Sequence, residues 1–472
     1  MLNIRDIIEA TRGRLVSEGE SEFTGVSIDS RTIKSGELFI ALNGDRFDGH
    51  DFLSDALKTG KGAIVNSSRF TVHGSRFTDK TIILVDNTLL ALHDLGRYIR
   101  KSFNGHVIGV VGSNGKTTTK ELISSILGTR LNVLKTMGNL NNHIGMPLSI
   151  TKMDKDTGVM VLEMGTNRPG DIDELCNIAM PDVGVVTNIG YEHLQGFGSL
   201  HKVRDSELEI APYVKKLVVN ADDSFLMEGV NAKFKGDVIT FGIEAKDADL
   251  TVKDIDFSDD GTRFIICANS GCIDIDSKIP GRFNVYNSLA AASAAHAIGF
   301  NLYEIKKGLE SFTGVNMRFE VRREKGVTFL NDVYNANPSS MEESINELAR
   351  FADAGKYTGK YKRAIAVLGD MLELGDYGID GHKKLGKKLS DMAVDVFIGV
   401  GPLMALAVSE FRGKGICADT SEDAGIELSK IIEDGDIVLI KGSRGMRMEK
   451  VMAAIEEDGS KKSVDFAGQH RG

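Results

Sequence analysis

Cysteine is scarce in this chain. Its 472 residues include four, Cys176, Cys267, Cys272 and Cys417. None forms a Cys-x-x-Cys pair or a zinc-ligand spacing, so we expect reduced, mostly buried thiols and no thiolate metal site. Proline is equally sparse, seven residues against 52 glycines, a balance that suits an α/β protein with many tight strand–helix turns. No apolar run is long enough to cross a bilayer. The opening Met-Leu-Asn-Ile-Arg-Asp has no signal-peptide pattern, and a cytoplasmic protein is expected. Positive charge is in deficit. A net charge of −10 disfavours generic nucleic-acid binding and anchoring to anionic lipid. What remains is an ordinary soluble composition, 42% apolar and 26% charged, in a chain too long for one core.

The pattern along the chain divides it into three α/β domains. Residues 1–103 read as a small domain, closed by an amphipathic helix over 88–103 that can serve as a connector. Residues 104–316 alternate strand and helix as a mostly parallel sheet requires, with strands expected at 107–111, 159–163, 183–187, 216–219 and 238–241. Alternation over 249–256 and 262–276 suggests an antiparallel hairpin turning near Asp259-Asp260-Gly261. Residues 317–472 look like a doubly wound, Rossmann-like domain. Its loops 369–375 and 441–447 would lie at carboxyl ends of strands, where such sheets bind ligands. The polar tail from Glu456 is expected to fray.

One segment carries specific chemistry. The apolar run Val107–Val111 feeds Gly112-Ser113-Asn114-Gly115-Lys116-Thr117-Thr118, and a helical pattern follows. Glycines let backbone N–H groups close on phosphate oxygens. Lys116 supplies a point charge, the Thr117 hydroxyl a Mg²⁺ ligand, and the helix start its positive dipole end. The strict phosphate-loop spacing is not met, because Val110 stands where the first glycine belongs. An ordinary strand-to-helix turn with an exposed lysine is the bland alternative. The context favours a bound nucleoside triphosphate, and so ATP with Mg²⁺.

Further polar residues end other strands. Glu163 follows Val159–Leu162 and is placed to hold Mg²⁺, directly or through water. His193, in Thr187-Asn188-Ile189-Gly190-Tyr191-Glu192-His193, is a metal ligand or a phosphate contact. Asn139 and Asn142 lie in a turn-rich loop, 138–147, able to read polar substrate groups. Asp332 opens Asp-Val-Tyr-Asn-Ala-Asn-Pro-Ser-Ser and is suited to a ribose or to the γ-phosphate region. Ser339 or Ser340 is the expected N-cap of the next helix. Arg318, just past a domain boundary, suits a charge clamp on phosphate.

Together these segments resemble the Mur ligases of peptidoglycan synthesis over almost the whole chain. The residues that carry the likeness are Asn139–Pro147, Asp332–Pro338, Leu368–Gly375 and Lys441–Glu449, with Asp29-Ser30-Arg31 in the first domain. Within the family they resemble the branch that joins D-alanyl-D-alanine to UDP-N-acetylmuramoyl-tripeptide. The likeness implies an ATP-dependent carboxylate–amine ligase working through an acyl phosphate; a monomer is expected. It implies that Lys116 binds the β- and γ-phosphates. Thr117, Glu163 and His193 would serve the metal. Asn284 and Asn287 would lie near adenine, and Arg318 and Asp332 would hold phosphate and ribose from the third domain. Ser30 and Arg31 would contact the UDP part, and Asn335, Asn337 and Ser340 the peptide side. A relative with another substrate, or a nucleotide-gated regulatory ATPase that joins nothing, are the competing readings.

Two positions depart from the family pattern. Relatives usually carry, fourteen residues after the histidine, a lysine that becomes a carbamate at the metal; here the residue is Glu207. We expect Glu207 to supply that negative charge without CO₂, against the alternative of a solvated helix residue. Phe283 stands where histidine is usual, and its ring can still stack on adenine.

Overall fold

The computed structural model describes residues 2–44, 46–70 and 79–455, so the tail expected to fray from Glu456 lies outside them. Among the described residues three large sheets are built one after another along the chain, beside a two-stranded pairing of Leu2–Asn3 with Glu22–Phe23. The first has five strands in the order Arg14–Ser17, Thr81–Val85, Gly62–Asn66, Glu37–Ile40 and Gly25–Ser27, parallel except for the first.

The connector helix, Thr88–Ser102, starts at Asn87, whose side chain accepts the N–H groups of Leu89 and Leu90. This satisfies two of the donors that a helix start leaves open. Its apolar face, Ala91, Leu92, Leu95 and Ile99, is buried in one core with Ile7, Leu38 and Ile64 of the first domain and Met146, Leu162 and Ile172 of the second. The first two sheets therefore share a hydrophobic core.

The central sheet has nine strands. From one edge these are Val133–Lys135, Val159–Glu163, His106–Val111, Val183–Val186, Lys216–Asn220, Asp237–Gly242, Leu250–Ser258, Gly261–Ala268 and Gly271–Ser277. The first seven are parallel. Inner strands such as Val107–Val111 are apolar on both faces because helices cover both. Lys116–Leu127, Arg282–Ala297 and Leu302–Ser311 cover one of them, against a second core that includes Val110, Ile123, Leu289 and Leu309.

The antiparallel part differs from expectation. A second turn at Asn269-Ser270 splits 262–276 into two strands, giving a three-stranded meander that extends the main sheet. In its last hairpin Cys267 lies directly opposite Cys272, and the two form a disulfide. Residues paired across a tight turn share a face of the sheet, so their sulfurs meet. Reduced, mostly buried thiols are thus not what the chain holds: Cys176 is free and buried, and Cys417 is free but exposed.

The third sheet runs Glu320–Glu324, Val327–Asp332, Asp436–Lys441, Arg363–Gly369, Val396–Val400 and Lys414–Ala418, parallel except for its first strand. Helices Pro338–Thr358, Tyr377–Ser390 and Pro402–Glu410 pack on one face and Ser421–Ile431 on the other, the doubly wound arrangement. The helix at Pro338 is capped by Asn337, not by Ser339 or Ser340. Proline fixes the backbone angle of the first helical residue, which moves the cap to the residue before it.

Candidate active site

The glycine loop joins strand His106–Val111 to helix Lys116–Leu127. Gly112 has φ +118°, and a Cβ there would lie 2.2 Å from Thr187 Oγ1. Gly115 has φ +80° and starts the helix with no side-chain cap, so the first-turn N–H groups are left for a ligand. The next strand end braces the loop. Ser113 N donates to Asn188 O at 2.9 Å, Gly190 N to Ser113 Oγ at 2.8 Å, and Thr187 Oγ1 to Asn114 O at 2.6 Å.

Lys116 is held over the loop by the carbonyls of Gly112 and Ser113, with Glu192 at 3.5 Å. Burial would lower its affinity for the proton. Glu192, Glu207 and Glu163 outweigh burial and raise it, so the ammonium stays charged. Thr117 Oγ1 donates to Glu163 Oε1 at 3.1 Å, and Asn141 Nδ2 donates to the same oxygen at 2.9 Å. Glu163 Oε2 is buried without a hydrogen-bond partner. Its one ion-pair partner among the described residues is the buried Lys120, at 3.7 Å. A hydroxyl beside a buried carboxylate with an oxygen free of hydrogen bonds is a hard-oxygen pair of the kind Mg²⁺ takes, so these residues fit that ion.

His193 and Glu207 sit differently. His193, at φ +45°, turns its Nδ1 to Glu373 Oε2 of the third domain at 2.5 Å. Glu207 is wholly buried at the end of helix Leu200–Glu207, which is not the surroundings of a solvated helix residue. One of its oxygens accepts Gly112 N at 2.7 Å, and the other has no hydrogen-bond donor, with the Glu192 carboxyl beside it. Burial pushes its carboxyl up to about 8; Lys116 pulls it down and Glu192 adds to the rise.

A cleft of about 360 Å³ opens between the second and third domains. The central domain lines it with Ser113–Thr118, Asn139, Asn142, Glu163, His193, Asn284 and Asn287. Across from them stand Arg318, Asp332, Asn335, Asn337 and Ser340. Of the residues singled out from sequence, Gly112 and Glu207 lie behind the loop. Ser30 and Arg31 are in the first domain, where Arg31 pairs with Asp29 at 2.7 Å and holds that carboxyl at about 2. Several side chains are already committed to the scaffold. Asn142 caps the turn into helix Gly145–Ile150 through Gly145 N, and Asn284 and Asn287 are linked at 3.0 Å. A second cavity of about 390 Å³ adjoins the first and is lined in part by Phe225, Phe241 and Tyr286.

The third domain is docked on the loop. Asn337 Nδ2 donates to Asn114 Oδ1 at 2.8 Å, and Asn114 Nδ2 to Ser339 Oγ at 2.9 Å. Tyr191 and Tyr377 stack with ring centres 5.4 Å apart. Sequence reasoning missed Asn141, Lys120, Lys441, Glu343 and Glu373. Lys441 had a signal, since it ends a strand of the doubly wound sheet. It pairs with Asp332 at 2.5 Å and is 3% exposed. Glu373 lay within the strand-end loop 369–375, but only the docking of two domains brings it to His193.

Three successive sheets, a glycine loop on the second and a cleft closed by the third define a class, and comparison with known families agrees. The Mur ligase family catalytic domain matches residues 22–95, the Mur ligase middle domain 110–295, and the Mur ligase glutamate ligase domain 317–444. The chain belongs to the Mur ligase family. Within the family it is 34% identical to the UDP-N-acetylmuramoyl-tripeptide--D-alanyl-D-alanine ligase of Bacillus subtilis, over 96% of this chain and 98% of that one. The Escherichia coli ligase of the same name is 32% identical, over 92% and 94%. Among solved structures, MurF of Acinetobacter baumannii superposes with a TM-score of 0.86 at 30% identity, over 96% and 98%. MurF of Thermotoga maritima, solved in complex with ADP, gives 0.80 at 32%, over 93% and 98%.

Proposed function

We propose that this chain is a cytoplasmic, monomeric ligase that uses MgATP to join D-alanyl-D-alanine to UDP-N-acetylmuramoyl-tripeptide. The observation that carries the reading is the meeting of a glycine loop with an arginine of another domain: Arg318 Nη2 lies 2.9 Å from Thr117 Oγ1. A carboxylate is a poor acyl donor until one of its oxygens becomes part of a phosphate leaving group. The tripeptide carboxylate attacks the γ-phosphorus, the bond to the β-bridging oxygen breaks, and ADP leaves. The amine of the dipeptide then attacks the acyl carbon, loses a proton and expels inorganic phosphate.

Phosphoryl transfer needs mainly positioning and charge neutralisation. Lys116 and the amides of Gly115–Thr118 hold the phosphates, those of Gly112, Ser113 and Asn114 being taken up by Glu207 and Asn188, and Arg318 faces the group in transfer. Thr117 and Glu163 would hold Mg²⁺, with His193 and the buried carboxyl of Glu207 behind them; the ion would neutralise phosphate charge. Asn335, Asn337 and Ser340 face the incoming peptide. Ser30 and Arg31 hold the UDP part at the far end. The docked third domain excludes water from the acyl phosphate, which would otherwise hydrolyse.

The test is to incubate the protein with MgATP, UDP-N-acetylmuramoyl-tripeptide and D-alanyl-D-alanine. ADP and the UDP-linked pentapeptide are expected in equal amounts. ADP release indifferent to both co-substrates would overturn the ligase reading and favour a regulatory ATPase.

A further inference from the structure

The two cavities meet along a narrow seam. Five residues line both: Asn114, Gly115, Phe283, Asn287 and Glu343. The first cavity contains the phosphate loop from Ser113 to Thr118; the second, beyond Gly115, offers the faces of Phe225, Phe241 and Tyr286 to a purine. In a nucleoside triphosphate the part between phosphates and base is the sugar, so the seam is where the sugar falls. This step rests on the ATP reading given above.

Helix Pro338–Thr358 borders the seam with one face, Ser340, Glu343, Ser344 and Glu347, spaced three and four residues apart. Three of the four are tied down. Ser340 N donates to Asn337 Oδ1 at 2.8 Å. Ser344 Oγ donates to Asp332 Oδ2 at 2.7 Å, and Glu347 Oε1 accepts Arg282 N at 2.9 Å. Glu343 makes no such hydrogen bond or ion pair among the described residues.

The neighbouring acid, Asp332, is in the opposite condition. Its Oδ1 accepts Phe319 N at 3.2 Å, and its Oδ2 takes both Ser344 Oγ and, at 2.5 Å, Lys441 Nζ. A carboxylate so occupied has little left to offer a ligand. The unmet acceptor at the seam is Glu343. A carboxylate facing a vicinal diol can accept from both hydroxyls, a charge-assisted pair of bonds of the kind that reads ribose in other nucleotide sites.

We propose that Glu343 reads the sugar of the bound nucleotide, accepting hydrogen bonds from the 2′- and 3′-hydroxyls and so selecting ribonucleotides over deoxyribonucleotides. Removing a hydroxyl from the ligand then leaves a half-buried carboxylate unpaired, which is how a polar site rejects an analogue. The surroundings agree. Burial pushes the Glu343 carboxyl up to about 7; Lys441 pulls it down, while Asp332, Glu342 and Glu347 push it further up. Such a group gains more from two hydroxyl donors than a solvated one would.

Binding of ADP, 2′-deoxy-ADP and 3′-deoxy-ADP to the full chain with Mg²⁺, measured by calorimetry, tests this. The native protein is expected to prefer ADP over each deoxy form by about ten- to a hundredfold, the worth of a hydrogen bond to a charged group. In Glu343→Ala all three should bind at the level of the deoxy forms. Glu343→Gln keeps the side-chain shape and one oxygen, and should retain an intermediate preference. A preference that survives in Glu343→Ala, or is absent from the native protein, overturns the assignment and leaves the ATP reading standing. Failure of the native chain to bind ADP at all overturns both.

Discussion

Arg318 and Thr117 are 201 residues apart in sequence, in different domains, and the Arg318 guanidinium donates to the Thr117 hydroxyl at 2.9 Å. The guanidinium also lies 4.0 Å from the centre of the Tyr334 ring. One face is stacked and one nitrogen is anchored, so the remaining N–H groups point into the cleft in a fixed direction. Preorganised donors of this kind stabilise developing charge without reorganising at the moment of reaction.

Replacing Arg318 should therefore slow turnover more than it weakens binding. Arg318→Ala is expected to lower kcat by about a hundredfold or more, with a smaller change in KM for the dipeptide. Arg318→Lys keeps the charge but loses the fork and the stacking, and should recover only part of the rate. ADP release in the complete reaction measures both. A kcat for Arg318→Ala within about twofold of native would remove Arg318 from the transfer step.

Gly112→Ala meets both strain and collision, from φ +118° and the 2.2 Å approach to Thr187 Oγ1. A cost of about 1–3 kcal/mol is expected from the backbone alone, with loss of ADP binding because the loop amides move. Gly138 has φ +56° but open space around it. Gly138→Ala should lower the melting temperature less and leave ADP binding unchanged. Equal effects of the two substitutions on ADP affinity would contradict a phosphate role for the loop.

For Glu207 the expected outcome is a ligation rate indifferent to added bicarbonate, since a carboxylate is already in place. Glu207→Ala should lose about tenfold or more in rate, because Gly112 N then loses its buried acceptor and the loop a brace. Bicarbonate stimulation of the native protein, or an unaltered rate in Glu207→Ala, would show that the carboxylate does not serve the metal.

Two buried histidines set an acid limit. His93 is held at 2.6 Å by the carbonyl of His143, and His382 accepts the N–H of Met371 through Nε2 at 3.0 Å. Burial holds both rings below the ordinary value of 6.5. The unfolded chain then binds protons that the native chain refuses. Their contribution to stability is present above pH 6.5 and is lost as the pH falls below it toward the lowered native values. His382→Gln should flatten this fall in a series of melting temperatures against pH. An unchanged acid slope would assign it to other groups.

The parallel strands were legible because a strand covered on both faces reads as an unbroken apolar run, as Val107–Val111 does. The edge strands were not. Glu320–Glu324 is charged at every position but Val321 because one of its sides faces solvent, and Lys414–Ala418 is exposed at three of its five positions. The short helix Gly145–Ile150 is buried at every residue and carries a proline, so no amphipathic period marks it. At the site, residues next to the glycine loop or at a strand's end announced themselves. Glu207 was visible only by its position relative to His193, and its burial was not, since its neighbours Asp205 and Glu209 are charged. Glu343 and Glu373 depend on where one domain lands on another, which no local pattern encodes.

The core shared by the first two sheets has a geometric consequence. Close-packed interiors do not stretch, so the helix Thr88–Ser102 fixes the span from Ser30 and Arg31 to the glycine loop. A substrate gripped at its nucleotide end is thereby measured against a bed of set length. A UDP-linked peptide one residue short should occupy the first domain with undiminished affinity yet fail to bring its carboxylate to Lys116. Binding without ADP formation is the expected signature, and efficient phosphorylation of the shortened peptide would show that the bed gives way.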